Sequence, residues 1–513
     1  MIKSNGGIIG PDNVTTGGAF GTASGVFKLN EVTNLIKESK WPGGGPQGFQ
    51  VANSARFNSG SSDFLNRTTE TPTNADKATF SFWVKRSKLG TNQSMLSERA
   101  DGNNTTNIYF NSDDKLEIHS YNSGTEYIFL RTVRLFRDVG AWMHIMYSFD
   151  TSQGTSTNRV KLYINGVQET SFSSGSGNVY PNENQNLRFN ESGHTLRIGN
   201  LNSDQYPNFY LSEVVFVDGT AQANTDLGEF NSQTGIWVPK VVTGLTFGNN
   251  GFYLPFTNAS ALGEDFSGND NDFTVNNLTS LDQSTDTCST NFATFNSLDN
   301  YQQQGTYTNG NIVYQTNTSN FTYNSSTIGV STGKWYWEIE YDAKSGGTDQ
   351  PMIGITSTQP TNTDQELGNF ANDYAWYTDN STGYLSNNNT YSNAGFNAYT
   401  VGDVISVALD LDNNKLYFAK NGTWEKSGDP ESGSTGTGAI SITAPVSTPL
   451  GTYFPSVAFG TGSYNGTFKA NFGSPMYAIS SGNTDGNGFG NFEYSVPSGY
   501  LSINTKNLAA VLA

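Results

Sequence analysis

Glu338, Glu340 and Asp342 fall at alternate positions of one apolar-polar run, so in a strand all three carboxylates share a face. Two such groups are what glycoside hydrolysis requires, one to protonate the leaving oxygen and one to attack the sugar. The chain holds 45 acidic residues, however, and an acidic solvent face is common in such a chain. These three therefore read as strand decoration, and no catalytic residue is assigned. The three histidines, His119, His144 and His194, are dispersed in sequence and assemble no triad or zinc site. Asp265, Asp270 and Asp272 in GEDFSGNDND are hard oxygen donors in a glycine-containing loop, a donor type suited to calcium, although the same string forms ordinary turns and lacks the terminal glutamate of an EF-hand. In NDYAWYTDNSTGYLSNNNTY, Trp376, Tyr377, Tyr384 and Tyr391 stand among amides and hydroxyls, the mixture that stacks on sugar faces and bonds their hydroxyls. Trp376 and Tyr377 alternate in an expected strand, so at least one of them belongs to a core.

The elements that must position these groups are strands. In GKWYWEIEY, Trp335, Trp337, Ile339 and Tyr341 alternate with Tyr336, Glu338, Glu340 and Asp342, as a strand packed on a second sheet requires. In GDVISVALDLDNNKLYFAKNGTW, Ile405, Val407, Leu409 and Leu411 make the apolar side of one strand and Leu416 to Phe418 begin the next; Asn421-Gly422 supplies the positive backbone angles of a hairpin turn. Together these runs resemble a SPRY domain, a β-sandwich that binds partners. FSFWVKR (80–86), AWMHIMYSFD (141–150), VKLYINGV (160–167), LRIGN (196–200) and YLSEVVFVDG (210–219) resemble, in order, a laminin-G-like, concanavalin-type jelly roll. Jelly rolls of this kind often hold calcium, which the resemblance extends to the loop of Asp265.

Composition agrees. A chain of 513 residues exceeds one core. Its charged fraction of 14%, against roughly 25% in ordinary globular proteins, and its 56 glycines suit short strands and turns. A net charge of −18 with no basic run argues against nucleic acid. A single cysteine, Cys288, rules out an internal disulfide and suits a reducing compartment. No apolar signal region opens the chain and no run approaches a membrane span, so sequons such as Asn103-Asn104-Thr105 read as chance matches and no membrane insertion is expected.

The expected organisation is mainly β: a docking segment at 1–48, a jelly roll at 49–238, a linker at 239–296, a SPRY-like sandwich at 297–475 and an extension at 476–513. Within the first segment Val26, Leu29, Val32, Leu35 and Ile36 lie at helical spacing. GGIIGPDN with SGVFKLNEV, the linker strings ALGEDFSGNDNDFTVNNLTS and DTCSTNFATFN, and the C-terminal FEYSVPSGYLSINTKNL resemble segments of tail-fibre-like virion proteins of bacteriophages. That resemblance implies a non-enzymatic virion protein, assembled in the host cytoplasm and exposed on the particle. It implies docking to other virion proteins through residues 1–48, a homo-oligomer such as a trimer, and a host-surface glycan as ligand. A head decoration or capsid-fibre protein, and a polysaccharide depolymerase, are the alternatives.

Overall fold

The strand Lys77–Arg86 shows how the first unit is built. Phe80, Phe82 and Val84 point to one side, into an apolar core, while Ser81, Trp83 and Lys85 point to the other. In the computed structural model, which describes residues 49–512 apart from 174, 176, 233, 300–304, 318–321, 348, 349, 360–364 and 461–463, this strand lies at the centre of an eight-stranded sheet. The segment 1–48, with its expected helical stretch, lies outside the described residues.

Along the eight-stranded sheet the order is Val167–Glu169, Val160–Ile164, Met143–Asp150, Lys77–Arg86, Phe209–Asp218, Ser54–Phe57 and Gln283–Ser284. Phe252–Leu254 also pairs with Phe209–Asp218. A seven-stranded sheet faces it, running Thr274–Asn276, Phe64–Thr68, Thr195–Ile198, Gln93–Asp101, Asn104–Phe110, Lys115–Asn122 and Thr125–Leu135. Phe82, Ile145, Phe149 and Phe216 from one sheet and Leu65, Ile108, Ile118 and Leu130 from the other fill the space between them. At the hairpin after Val160–Ile164, Asn165 and Gly166 take φ of 48° and 77°. A Cβ on Gly166 would lie 2.2 Å from the Trp237 ring, so this turn needs glycine for its angle and for its space.

The second unit begins at Phe292. Its nine-stranded sheet runs Thr306–Thr308, Val313–Gln315, Gly466–Asn471, Lys334–Lys344, Val404–Asp410, Lys415–Lys420 and Thr423–Trp424, with Ile440–Ser441 added to Lys415–Lys420. The facing sheet of six runs Thr322–Ser325, Phe454–Phe459, Pro351–Thr356, Asp373–Asp379, Thr382–Asn387 and Thr390–Phe396. Trp335, Trp337, Ile339, Tyr341, Leu409 and Phe418 pack between the sheets against Ile353, Trp376 and Val457, as their alternation predicts. The fold is mainly β, with two sandwiches. One departure from antiparallel order is Leu501–Ser502, which pairs in parallel with Trp335 and Tyr336.

Two expected boundaries differ. Residues 239–296 are no linker: Phe252–Leu254, Thr274–Asn276 and Gln283–Ser284 are strands of the first sandwich, and Phe252, Leu254, Phe256, Leu262, Phe273 and Leu278 lie in its core. The chain passes to the second unit between Asn291 and Phe292. Nor is 476–513 an appendage. Phe492 and Tyr500 pack on Tyr336, Ala408 and Tyr417, covering the outer side of the nine-stranded sheet, and Leu508 and Val511 of the helix Thr505–Leu512 pack against the main core. A sheet whose outer face carries tyrosines and a glutamate lowers its free energy when a later segment covers it with matching donors.

Trp337 has no exposed surface. Its replacement by alanine should cost the second sandwich about 3–5 kcal/mol, through lost burial and a residual cavity. In differential scanning calorimetry the transition of the second unit should fall and that of the first stay in place; an equal fall of both would show that the two cores do not melt independently.

Candidate functional site

The strand Asp373–Asp379 divides its aromatics by parity. Tyr374 and Trp376 face the inter-sheet core, whereas Tyr377 emerges on the outer side of the six-stranded sheet. Trp376 is fully buried, its indole N–H donating to the Asn397 carbonyl at 3.1 Å, so its expected place in a ligand surface is corrected: it is a core residue. The other three expected aromatics come together. Tyr384 lies directly across from Tyr377 in the neighbouring strand, with ring centroids 5.8 Å apart, and Tyr391 of the edge strand lies 4.8 Å from Tyr377. Tyr377 is the floor of this cluster, only 8% exposed and backed by Tyr323, Met352 and Leu367. Tyr384 is half-buried and Tyr391 is 46% exposed, so these two rings form the accessible surface.

Polar groups frame it. Gln350 donates to the Tyr377 hydroxyl at 3.3 Å, and the Tyr391 hydroxyl donates to the Glu366 carboxylate. Burial, outweighing the Gln350 hydrogen bond, holds the Tyr377 phenol above its ordinary range, with the charges of Asp379 and Glu366 adding to the effect. The hydroxyl therefore stays protonated. Gln350 and Glu366 carry no signal in the sequence, because they precede the aromatic run on loops and only the strand pairing brings them beside it. Rings flanked by a carboxylate, an amide and phenol hydroxyls can stack on the apolar face of a sugar and bond its hydroxyls.

Glu338 departs from the acidic solvent face expected of it, and its neighbours on that face are held by a lysine. Glu338 is wholly buried, and its oxygens accept from the Tyr336 hydroxyl at 2.9 Å, the Asn471 amide at 3.1 Å, the Tyr477 hydroxyl at 3.2 Å, and the backbone N–H groups of Glu493 at 3.0 Å and Tyr494 at 2.8 Å. Burial pushes its carboxyl up, and those donors pull it back. Glu340 and Asp342 pair with Lys469 at 3.3 and 2.5 Å.

The carboxylates considered for calcium close a loop. Asp265 accepts the backbone N–H groups of Tyr253, Ser267 and Asn271 at 2.8, 2.8 and 2.9 Å, and the Ser267 hydroxyl at 2.7 Å. Asp272 in turn accepts the Asp265 N–H at 2.8 Å, while Asp270 is exposed with φ of 56°. With its oxygens spent on peptide N–H groups, Asp265 acts as a turn former. Among the described residues no three acidic, histidine or cysteine side chains gather in a way that could hold a metal ion.

One contact was invisible in the sequence because its members are 63 residues apart. His144 Nε2 lies 2.7 Å from Ser81 Oγ, the spacing of a nucleophile and its base. Its other nitrogen, Nδ1, accepts the Trp237 indole N–H at 3.1 Å. Nε2 must then carry the proton and donate to Ser81, so this imidazole is in the wrong tautomer to activate the hydroxyl. Complete burial pushes its pKa down to about 3. Nearby, the pairing of Phe209–Asp218 with Lys77–Arg86 slips between Ser212 and Val215, and Glu213 takes φ of 50° in the bulge. Its carboxyl accepts the Tyr253 hydroxyl at 2.6 Å, and burial raises it to about 7.

Residues 59–225 match the family described as the concanavalin A-like lectin/glucanases superfamily, a laminin-G domain, and residues 334–475 match the SPRY domain. The chain thus carries a laminin-G, concanavalin-like domain and a SPRY domain, a combination that points to binding or recognition. Among solved structures it is similar to the SPRY domain of human HERC1, at 18% identity over 34% of this chain and 96% of that one, with a TM-score of 0.28. It is also similar to a heptameric SAP-like pentraxin from Limulus polyphemus, at 13% identity over 39% and 100% of the two chains, with a TM-score of 0.27. A Bacteroides ovatus protein described as carbohydrate binding matches at 14% identity over 44% of this chain and 59% of that one, with a TM-score of 0.30. Comparison with curated proteins returned no match.

Glu213 gives a pH test. Its folded-state value of about 7 stands above the ordinary 4.5, so the folded form keeps a proton that the unfolded chain releases. The stability this proton confers is complete below pH 4.5 and is lost as pH rises through 7. At about 1.4 kcal/mol per pH step, the first sandwich should lose about 3 kcal/mol relative to its Glu213→Gln variant between pH 4.5 and 7. Urea titrations of both proteins across that range measure the difference, and parallel curves would refute it.

Proposed function

We propose that this chain is a non-enzymatic bacteriophage virion protein, a tail fibre or similar appendage, that recognises a host-surface glycan. The observation that carries the glycan reading is the open surface of Tyr391 and Tyr384 over Tyr377, framed by Glu366 and Gln350. Two domains of binding type support it, as does the engagement of Glu338 by five donors, which leaves that carboxylate unsuited to proton transfer with a substrate. The virion assignment rests on the resemblance of the segments at 6–13, 24–32, 261–280, 286–296 and 492–508 to those of phage tail-fibre-like proteins. On this reading residues 1–48 dock to other virion proteins, the assembly is a homo-oligomer such as a trimer, and the tyrosine surface faces the host.

Tyr391→Ala and Tyr384→Ala should each weaken adsorption of particles to host cells by about tenfold, the loss of a stacked ring worth roughly 1–1.5 kcal/mol, while Glu340→Gln leaves adsorption unchanged. Release of reducing sugar from host polysaccharide by the parent, abolished in Glu340→Gln, would overturn the non-enzymatic reading. Deleting residues 1–48 should leave a folded β protein that no longer enters particles; normal incorporation of the truncated chain would remove the docking role from that segment.

A further inference from the structure

Lys85 lies on the outward side of the strand Lys77–Arg86, opposite Tyr210, and is only 1% exposed. Its Nζ stands 2.7 Å from Asp286 Oδ2, 2.8 Å from Asn291 Oδ1 and 5.5 Å from the centre of the Tyr210 ring. Each partner is held by a second contact. The Trp142 indole N–H donates to the other oxygen of Asp286 at 2.9 Å, and the Asn291 amide donates to the Gly140 carbonyl at 2.7 Å. Asp286 is itself 1% exposed.

An amine touching a carboxamide oxygen, with a carboxylate bonded to the same amine, is the set of groups that transamidation needs. In water the reaction fails because the amine is protonated and the two groups meet rarely; fixed contact replaces that encounter with a high effective concentration, and a positioned carboxylate moves the protons. We propose that Lys85 and Asn291 join through a side-chain amide bond, with Asp286 as the proton carrier. Asp286 takes a proton from the Lys85 ammonium, and the neutral Nζ attacks Cγ of Asn291. The Nζ–Cγ bond forms and the Cγ–Nδ2 bond breaks as a second proton passes from Nζ to Nδ2. Ammonia leaves, collecting the proton held by Asp286 to depart as ammonium, and the carboxylate is restored. Nothing is oxidised or reduced, and no co-reactant is required.

The bond fastens the last residue of the first unit to the middle of its larger sheet. The short strand Gln283–Ser284 and the residues following it could then not peel away from Ser54–Phe57. Without the bond, the same contacts would be a buried ion pair with Asn291 as a third, neutral acceptor.

Mass spectrometry of the full chain, purified folded and then denatured, decides between the two. The expected result is a mass lower than that of the sequence by one ammonia, together with a proteolytic fragment in which the peptides carrying Lys85 and Asn291 are linked. Lys85→Arg and Asp286→Ala should both restore the full mass and remove the linked fragment. A parent chain of unaltered mass would overturn the proposal, as would an ammonia loss located within an Asn-Gly pair such as Asn165-Gly166. Linkage that persists in Asp286→Ala would overturn the role of that carboxylate. The parent measurement needs no variant to fold.

Discussion

A carboxylate taken out of water must be surrounded by donors, and Glu338 draws two of its donors, the N–H groups of Glu493 and Tyr494, from a segment 155 and 156 residues further along the chain. Much of the second unit follows from that demand. The tyrosine hydroxyls at 336 and 477 and the amide of Asn471 complete the shell, and Phe492 and Tyr500 then close over Tyr336, Ala408 and Tyr417. Asp485 repeats the device within the covering segment. It accepts N–H groups from Asn487 and Phe489 on one oxygen, and the Ser502 N–H and hydroxyl and the Asn507 amide on the other. One outer face of the sandwich is thereby spent on the chain itself, and the opposite sheet presents the tyrosine surface.

The first unit solves the same problem on its eight-stranded sheet. Ser81, His144 and Lys85 face outward there, and each finds a partner in a later segment: Trp237 for the Ser81–His144 pair, Asp286 for Lys85. The Lys85–Asp286 contact, with both side chains out of water, is costly to break and so fixes which segment lies over the sheet, whether or not the bond to Asn291 follows. Two of the side chains beneath these covers, Glu338 and His144, resemble catalytic groups in type and spacing. Glu338 is saturated by its neighbours, and His144 carries its proton on the nitrogen that faces Ser81.

Legibility in the sequence followed strand length. Trp335 to Tyr341 and Ile405 to Leu411 alternate over enough residues to declare both the strand and its buried side, and the two cores contain them. Phe252–Leu254, Thr274–Asn276 and Gln283–Ser284 have three residues or fewer, too few for a period, and they pair with strands at 209–218, 64–68 and 54–57; the stretch holding them therefore read as a linker. At the site, alternation required that Trp376 and Tyr377 face opposite ways but could not say which faced the core. The packing of Trp376 against Phe396 and Phe418 in the core settles the inward side, and the approach of Gln350 and Glu366 depends on strand order, which local sequence does not encode.

The parallel strand Leu501–Ser502 and the donors at Glu493 and Tyr494 are made only after the whole of the sheet they cover. Every other strand of that sheet precedes the covering segment in the chain, so a sandwich formed from those strands alone leaves Glu338 and Tyr336 bare. A chain whose last segment has not docked carries one bare aromatic face on an otherwise paired sheet. Until it docks, that face is open to association with the same face of another chain. Docking of residues 472–502 is thus what keeps the protein monodisperse at this face, apart from what it adds to the stability of the finished fold.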